Sequence, residues 1–185
     1  GFRGMVVCPD KLTAVKYKKG FDLIGKVKTE VVMSAPDTRE NNEDIHSSES
    51  PEVTQYFELL KAKYGPDIDN TIIQNYEKGE SIELLIVIDK LLTGFDVPQT
   101  VVMYLCRKLR EHTLLQAIAR VNRVFPGKDY GFIIDYASIM EELKEALEIY
   151  SGDSSFDPED IVGSLTNISE EVNRLPRAHK DLLNL

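Results

Sequence analysis

Gln116, Arg120 and Arg123 follow one another at intervals of four and three. At about 100° per residue they fall within roughly 60° of each other on a helix. Leu114, Ile118 and Val121 occupy a similar arc on the opposite side. The spacing therefore predicts a helix over 114–123 that buries its aliphatic residues and presents both guanidiniums together with the amide. Arginine's planar fork suits bidentate capture of phosphate oxygens, and a fixed arginine stabilises charge developing on a transferring phosphoryl group. The alternative reading of the same spacing is a helix whose arginines simply meet solvent.

A second stretch, Leu91 to Pro98, reads L-L-T-G-F-D-V-P directly after the apolar run E-L-L-I-V-I-D of Glu83 to Asp89. In a parallel sheet, ligands collect at the carboxyl ends of strands. There Gly94 would let the backbone approach a ligand closely, Asp96 could accept from a ribose hydroxyl, and Thr93 could donate to a nucleic-acid phosphate. A strand-to-strand turn closed by Pro98 is the competing reading.

The chain has 185 residues, 42% of them hydrophobic, and a formal net charge of −9. That size suits one globular domain with a real core. The net charge argues against a surface that coats nucleic acid throughout, because phosphate neutralisation needs clustered Lys and Arg. The distribution is uneven, however. Asp37, Glu40, Glu43, Asp44, Glu49 and Glu52 crowd the acidic stretch 36–52, whereas Arg107, Lys108, Arg110, Arg120, Arg123 and Lys128 crowd 105–128. Cys8 and Cys106 sit far apart in apolar runs, which favours reduced thiols over a disulfide framework. His46, His112 and His179 show no metal-ligand spacing. No apolar run approaches the roughly 20 residues of a membrane span, and a soluble, cytoplasmic protein is expected.

Strands are expected at Met5–Cys8, Glu30–Met33, Glu83–Asp89, Thr100–Leu105 and Gly131–Asp135, each a short β-branched or apolar run. Helices are expected after an Asp10 cap, over Glu52–Tyr64 and Asn70–Glu77 with Gly65-Pro66 between them, and over Ala137–Tyr150. The acidic stretch 36–52 has no pattern and reads as a mobile loop. Alternation of strands with helices implies an α/β fold, a mostly parallel sheet between helical layers. Past Ser151-Gly152 the composition shifts. Residues 153–185 read as a helical extension that begins a further, truncated domain, following a first domain over 1–152.

Taken together, T-G-F-D-V-P, a strand, R-x-L-R-E-H and L-L-Q-A-I-A-R-V-N-R resemble motifs V and VI of superfamily 2 helicases and translocases. The spelling is most similar to the motor, or restriction, subunit of type I restriction-modification enzymes. Motif V would be Thr93, Gly94 and Asp96, and motif VI would be Gln116, Arg120 and Arg123. Val6 to Asp10 with Ala14 and Tyr17 looks like motif IV. The wider superfamily often has Arg and Gly where Ala117 and Ala119 stand, a departure that fits the type I branch.

The resemblance implies the second RecA-like domain of a two-domain motor, a three-layer α/β/α fold. ATP would lie between the domains, with Gly94, Asp96, Gln116, Arg120 and Arg123 toward the nucleotide. Arg123 would be the arginine finger and Arg120 a second phosphate contact, while Thr93, Arg107 and Lys108 would contact DNA. Mg²⁺ would be held mainly by the first motor domain. Implied partners are double-stranded DNA, a first RecA-like domain and a nuclease domain in the same polypeptide, and methyltransferase and specificity subunits, with no membrane.

No G-x-x-x-x-G-K-[ST] occurs, since Gly25-Lys26-Val27 and Gly127-Lys128-Asp129 lack the hydroxyl. Neither an acidic D-E-x-H box nor a nuclease constellation is present. The chain alone is therefore expected neither to hydrolyse ATP nor to cut DNA. A motor half from another helicase branch, and a noncatalytic phosphate-binding or protein-docking module, are the competing functions.

Overall fold

The computed structural model describes residues 1–36, 50–79, 81–88, 90, 97–109 and 111–139. All of them fall within Gly1–Leu143, the first of two units into which the chain divides. The expected extension over 153–185, most of the helix over Ala137–Tyr150 and the interior of the acidic stretch lie outside the described residues.

In chain order the elements are β1 (Arg3–Val7), α1 (Lys11–Ile24), β2 (Thr29–Val32), α2 (Pro51–Tyr64), α3 (Ile68–Lys78), β3 (Leu84–Val87), β4 (Thr100–Leu105), α4 (Glu111–Val121) and β5 (Phe132–Asp135). The strands form one sheet in the order β2-β3-β1-β4-β5, and every pairing is parallel. This is the expected α/β class. β1 lies at the centre, which explains why all five of its residues are buried and why it carries almost no polar side chain.

Local chemistry sets the element ends. Asp10 caps α1, its carboxylate accepting from the Thr13 amide at 2.7 Å and from the Thr13 hydroxyl at 2.9 Å. Pro51 opens α2 at a position where its missing N–H is not needed. After β5, the Asp135 carboxylate accepts from the amides of Ala137 and Ile139, and Ser138 adopts φ 56°. The chain turns there, so Ala137 to Ile139 are not helical as the apolar spacing predicts.

One buried charge organises the β2 edge. Glu30 is 1% exposed, and its carboxylate accepts from Tyr56 Oη at 2.6 Å, Lys63 Nζ at 2.7 Å and Tyr64 Oη at 2.5 Å. All three donors lie on α2, so a single carboxylate clamps that helix to the edge strand. Desolvation raises the Glu30 pKa, but the hydrogen bonds from Lys63, Tyr56 and Tyr64 outweigh it and the net shift is downward.

Candidate functional site

α4 packs against β4 and β5, and its burial pattern differs from the expected one. Leu114, Ala117 and Val121 are buried, and so is Arg120 at 6% exposure, while Gln116 and Ile118 are half-buried. On a helical wheel the buried residues span about 120°, from Arg120 through Ala117 to Leu114. Arg120 thus lies at the margin of the packed face, and the two guanidiniums do not share a solvent-facing surface. Ala117 at the centre of that arc is small enough to bring the helix backbone close to the sheet.

Arg123 is not on the helix at all. The Asn122 amide still donates to the Ile118 carbonyl at 3.1 Å, but α4 ends at Val121. Pro126 lies just downstream, and a residue before proline is driven out of the helical region. Arg123 is exposed, on irregular chain just past the helix. Arg120, in the last turn, is well placed against the negative end of the helix dipole.

The chain then folds back through Phe125-Pro126-Gly127-Lys128. The Lys128 amide donates to the Phe125 carbonyl at 2.9 Å, and Gly127 has φ 77°. Proline followed by a glycine at positive φ is the residue pattern of a type II turn. The turn aims Lys128, 8% exposed, beneath the entrance to β4. There its ammonium donates to the carbonyls of Pro98 at 2.9 Å and Thr100 at 2.8 Å. Burial draws the Lys128 pKa below the ordinary lysine value.

That entrance is the point at which the chain emerging from L-L-T-G-F-D-V-P rejoins the sheet. The Val97 carbonyl accepts from the Thr100 amide at 3.0 Å, and the Gln99 carbonyl accepts from the Arg3 amide at 3.1 Å. With the two contacts from Lys128, each carbonyl from Val97 to Thr100 has a donor. Beneath them, Tyr76 of α3 donates to the Gly4 carbonyl at 2.9 Å and lies 3.0 Å from the Thr100 hydroxyl.

The basic residues that look like one cluster in the sequence separate to the two ends of the sheet. Arg120, Arg123 and Lys128 gather where α4 ends and β4 and β5 begin. Arg107 and Lys108 follow the carboxyl end of β4, where Arg107 Nη2 donates to the Ile88 carbonyl beyond β3 at 3.2 Å, and Lys108 is exposed. The α4 helix, roughly 16 Å long at 1.5 Å per residue, separates the two groups. Thr93, Gly94 and Asp96 lie outside the described residues. Val97 to Thr100, which follow that stretch, lie at the amino end of β4, where Lys128 contacts them. Lys128 is the residue that the sequence reading missed as part of this arrangement. The Pro126-Gly127 turn signal next to it was the available clue.

The chain has recognisable relatives. The family described as type I restriction enzyme subunit R domain 3 matches residues 3–138. The putative type I restriction enzyme MjaVIIP endonuclease subunit of Methanocaldococcus jannaschii is 36% identical over 81% of this chain and 14% of that protein. The type I restriction enzyme HindI endonuclease subunit of Haemophilus influenzae is 33% identical over 69% of this chain and 11% of its own length. The chain thus spans about a seventh or less of these relatives. Among solved structures, the C-terminal domain of Dbp5 from S. cerevisiae, bound to Gle1 and IP6, is matched over 82% of this chain and 85% of that one, at 14% identity and a TM-score of 0.35. So loose a superposition leaves the strand order to speak for the fold. With the family match running from the first residue of β1 to beyond the last of β5, this chain belongs to the type I restriction enzyme subunit R domain 3 family.

Proposed function

We propose that the chain is the second motor domain of an ATP-dependent DNA translocase within a type I restriction endonuclease. In this reading ATP lies between two RecA-like domains of the longer polypeptide. This domain supplies Gly94, Asp96 and Gln116 to the nucleotide and Arg120 and Arg123 to its phosphates. The observation that supports the reading is a contact between the residues that follow the two stretches. The exit of the first stretch at Val97–Thr100 and the turn following Arg123 are joined through Lys128.

The donor set fits the proposed ligand. Two guanidiniums and an amide suit phosphate oxygens, to which arginine binds bidentately. Arg123 is exposed past the helix end, on the side where a facing domain would present a phosphate. Arg120 holds its guanidinium at the edge of the packed face and contributes positive charge from a fixed position. Bound ATP supplies the phosphoryl group, and Mg²⁺ would be held by the first motor domain. Thr93, Arg107 and Lys108 serve duplex DNA, and nuclease, methyltransferase and specificity functions belong to other parts of the complex. The segment by itself neither turns over ATP nor cuts DNA.

The test is DNA-stimulated ATPase of the parent polypeptide, wild type against Arg123→Ala, with nucleotide binding measured alongside. An arginine finger contributes on the order of 10³-fold or more in rate. Collapse of turnover with binding retained supports the motor reading. Unchanged turnover would leave a noncatalytic docking module as the better description.

A further inference from the structure

We propose that Lys128 is a positioning residue. By gripping the entrance of β4 it fixes the irregular segment that carries Arg123, so that the guanidinium is presented at a set place to the nucleotide. The inference rests on the motor reading above and adds to it a residue outside motifs V and VI.

Three observations carry it. First, the ammonium is buried and spends two of its three N–H donors on consecutive-turn carbonyls, Pro98 at 2.9 Å and Thr100 at 2.8 Å. Buried polar groups are retained where their partners are satisfied, and here the lysine and the carbonyls satisfy each other. Second, the segment from Asn122 to Phe125 has no regular structure of its own. It is tied at one end by α4 and at the other by the Phe125–Lys128 turn, whose geometry Gly127 permits at φ 77°. Third, the strand entrance is itself anchored, to β1 through Arg3 and to α3 through Tyr76. Lys128 therefore ties Arg123 to the centre of the sheet rather than to another surface loop.

The experiment uses the full-length parent polypeptide with duplex DNA and ATP, and compares wild type, Lys128→Met, Arg123→Ala and the double variant. Lys128→Met keeps the length of the side chain and removes its donors. The expected result is a loss of kcat on the order of 10- to 100-fold, as displacement of a catalytic group by about 1 Å produces, with KM for ATP changed by less than about threefold. In the Arg123→Ala background the same substitution should produce no further loss, because its effect passes through the missing arginine. Wild-type kcat in folded Lys128→Met overturns the inference, and so does a loss that multiplies in full with that of Arg123→Ala. Should Lys128→Met not fold, Gly127→Ala takes its place. A Cβ there meets no atom within 4 Å, so only the turn is strained, and kcat should fall severalfold with the same non-additivity; unchanged kcat overturns the inference. An unaffected Arg123→Ala enzyme would instead defeat the motor reading itself.

Discussion

Gly131 lies directly against the last residue of α4: a Cβ on it would stand 2.1 Å from the Val121 carbonyl oxygen and 2.5 Å from the carbonyl carbon. Both are backbone atoms of a packed helix and cannot swing aside. The lead-in to β5 thus needs glycine for close approach, and the contact seats the end of α4 between Arg120 and Arg123. Gly131→Ala should destabilise the domain by about 3 kcal/mol, at the upper end of overpacking costs. Chemical denaturation should show a lower midpoint, and a wild-type midpoint would mean that the helix end has room to move.

Glu30 should make the domain acid-sensitive. Its folded pKa lies below the ordinary glutamate value, so the unfolded chain binds the proton more tightly than the folded one does. The stabilisation is fully present above that unfolded value and is lost as pH falls through the depressed folded pKa. Glu30→Gln should remove this component of the pH dependence below about pH 4.5. It should also cost about 3 kcal/mol near neutrality, because Lys63 loses its charged partner and one of the two acceptor oxygens becomes an NH2 donor facing a tyrosine hydroxyl or the ammonium. Denaturation midpoints between pH 3 and 7 would check both statements.

The cysteines should differ in reactivity. Cys8 is fully buried, and burial, with smaller contributions from Cys106 and Asp10, pushes its pKa up to about 12. Cys106 is half-buried, and desolvation raises its pKa although a hydrogen bond with Tyr17 opposes this. Iodoacetamide at pH 8 should alkylate Cys106 slowly in the native chain and Cys8 only after unfolding. Peptide mass spectrometry resolves the two sites, and native labelling of Cys8 would contradict its placement.

The separation of the basic residues has a consequence for DNA. Lys108 is exposed at the carboxyl end of β4, and under the motor reading it contacts phosphate without reading sequence. Lys108→Ala in the parent polypeptide should weaken duplex binding equally for different sequences and reduce the slope of log K against log salt by about 1. ATPase at saturating DNA should stay near wild type. An unchanged salt slope would remove Lys108 from the DNA surface.

Strand identity was legible in the sequence because a strand buried on both faces admits little but aliphatic residues. Glu83–Asp89 and Thr100–Leu105 could hardly be anything else, and strands alternating with helices implied the parallel sheet. The Asp10 cap was equally plain, since capping depends on one side chain and the next few amides. Arg120 and Arg123 could be picked out by type and spacing alone. Their surroundings could not. A helical wheel assigns angles but not the direction of the sheet, so the burial of Arg120 appeared only once α4 lay on β4 and β5. The partition of one basic run between the two ends of the sheet likewise required knowing that α4 runs the length of the strands. The clamp around Glu30 and the grip of Lys128 on Pro98 and Thr100 join residues about 30 positions apart. Periodicity carries no record of such pairings, because they exist only when folding makes the desolvation of each charge depend on the partner brought to it.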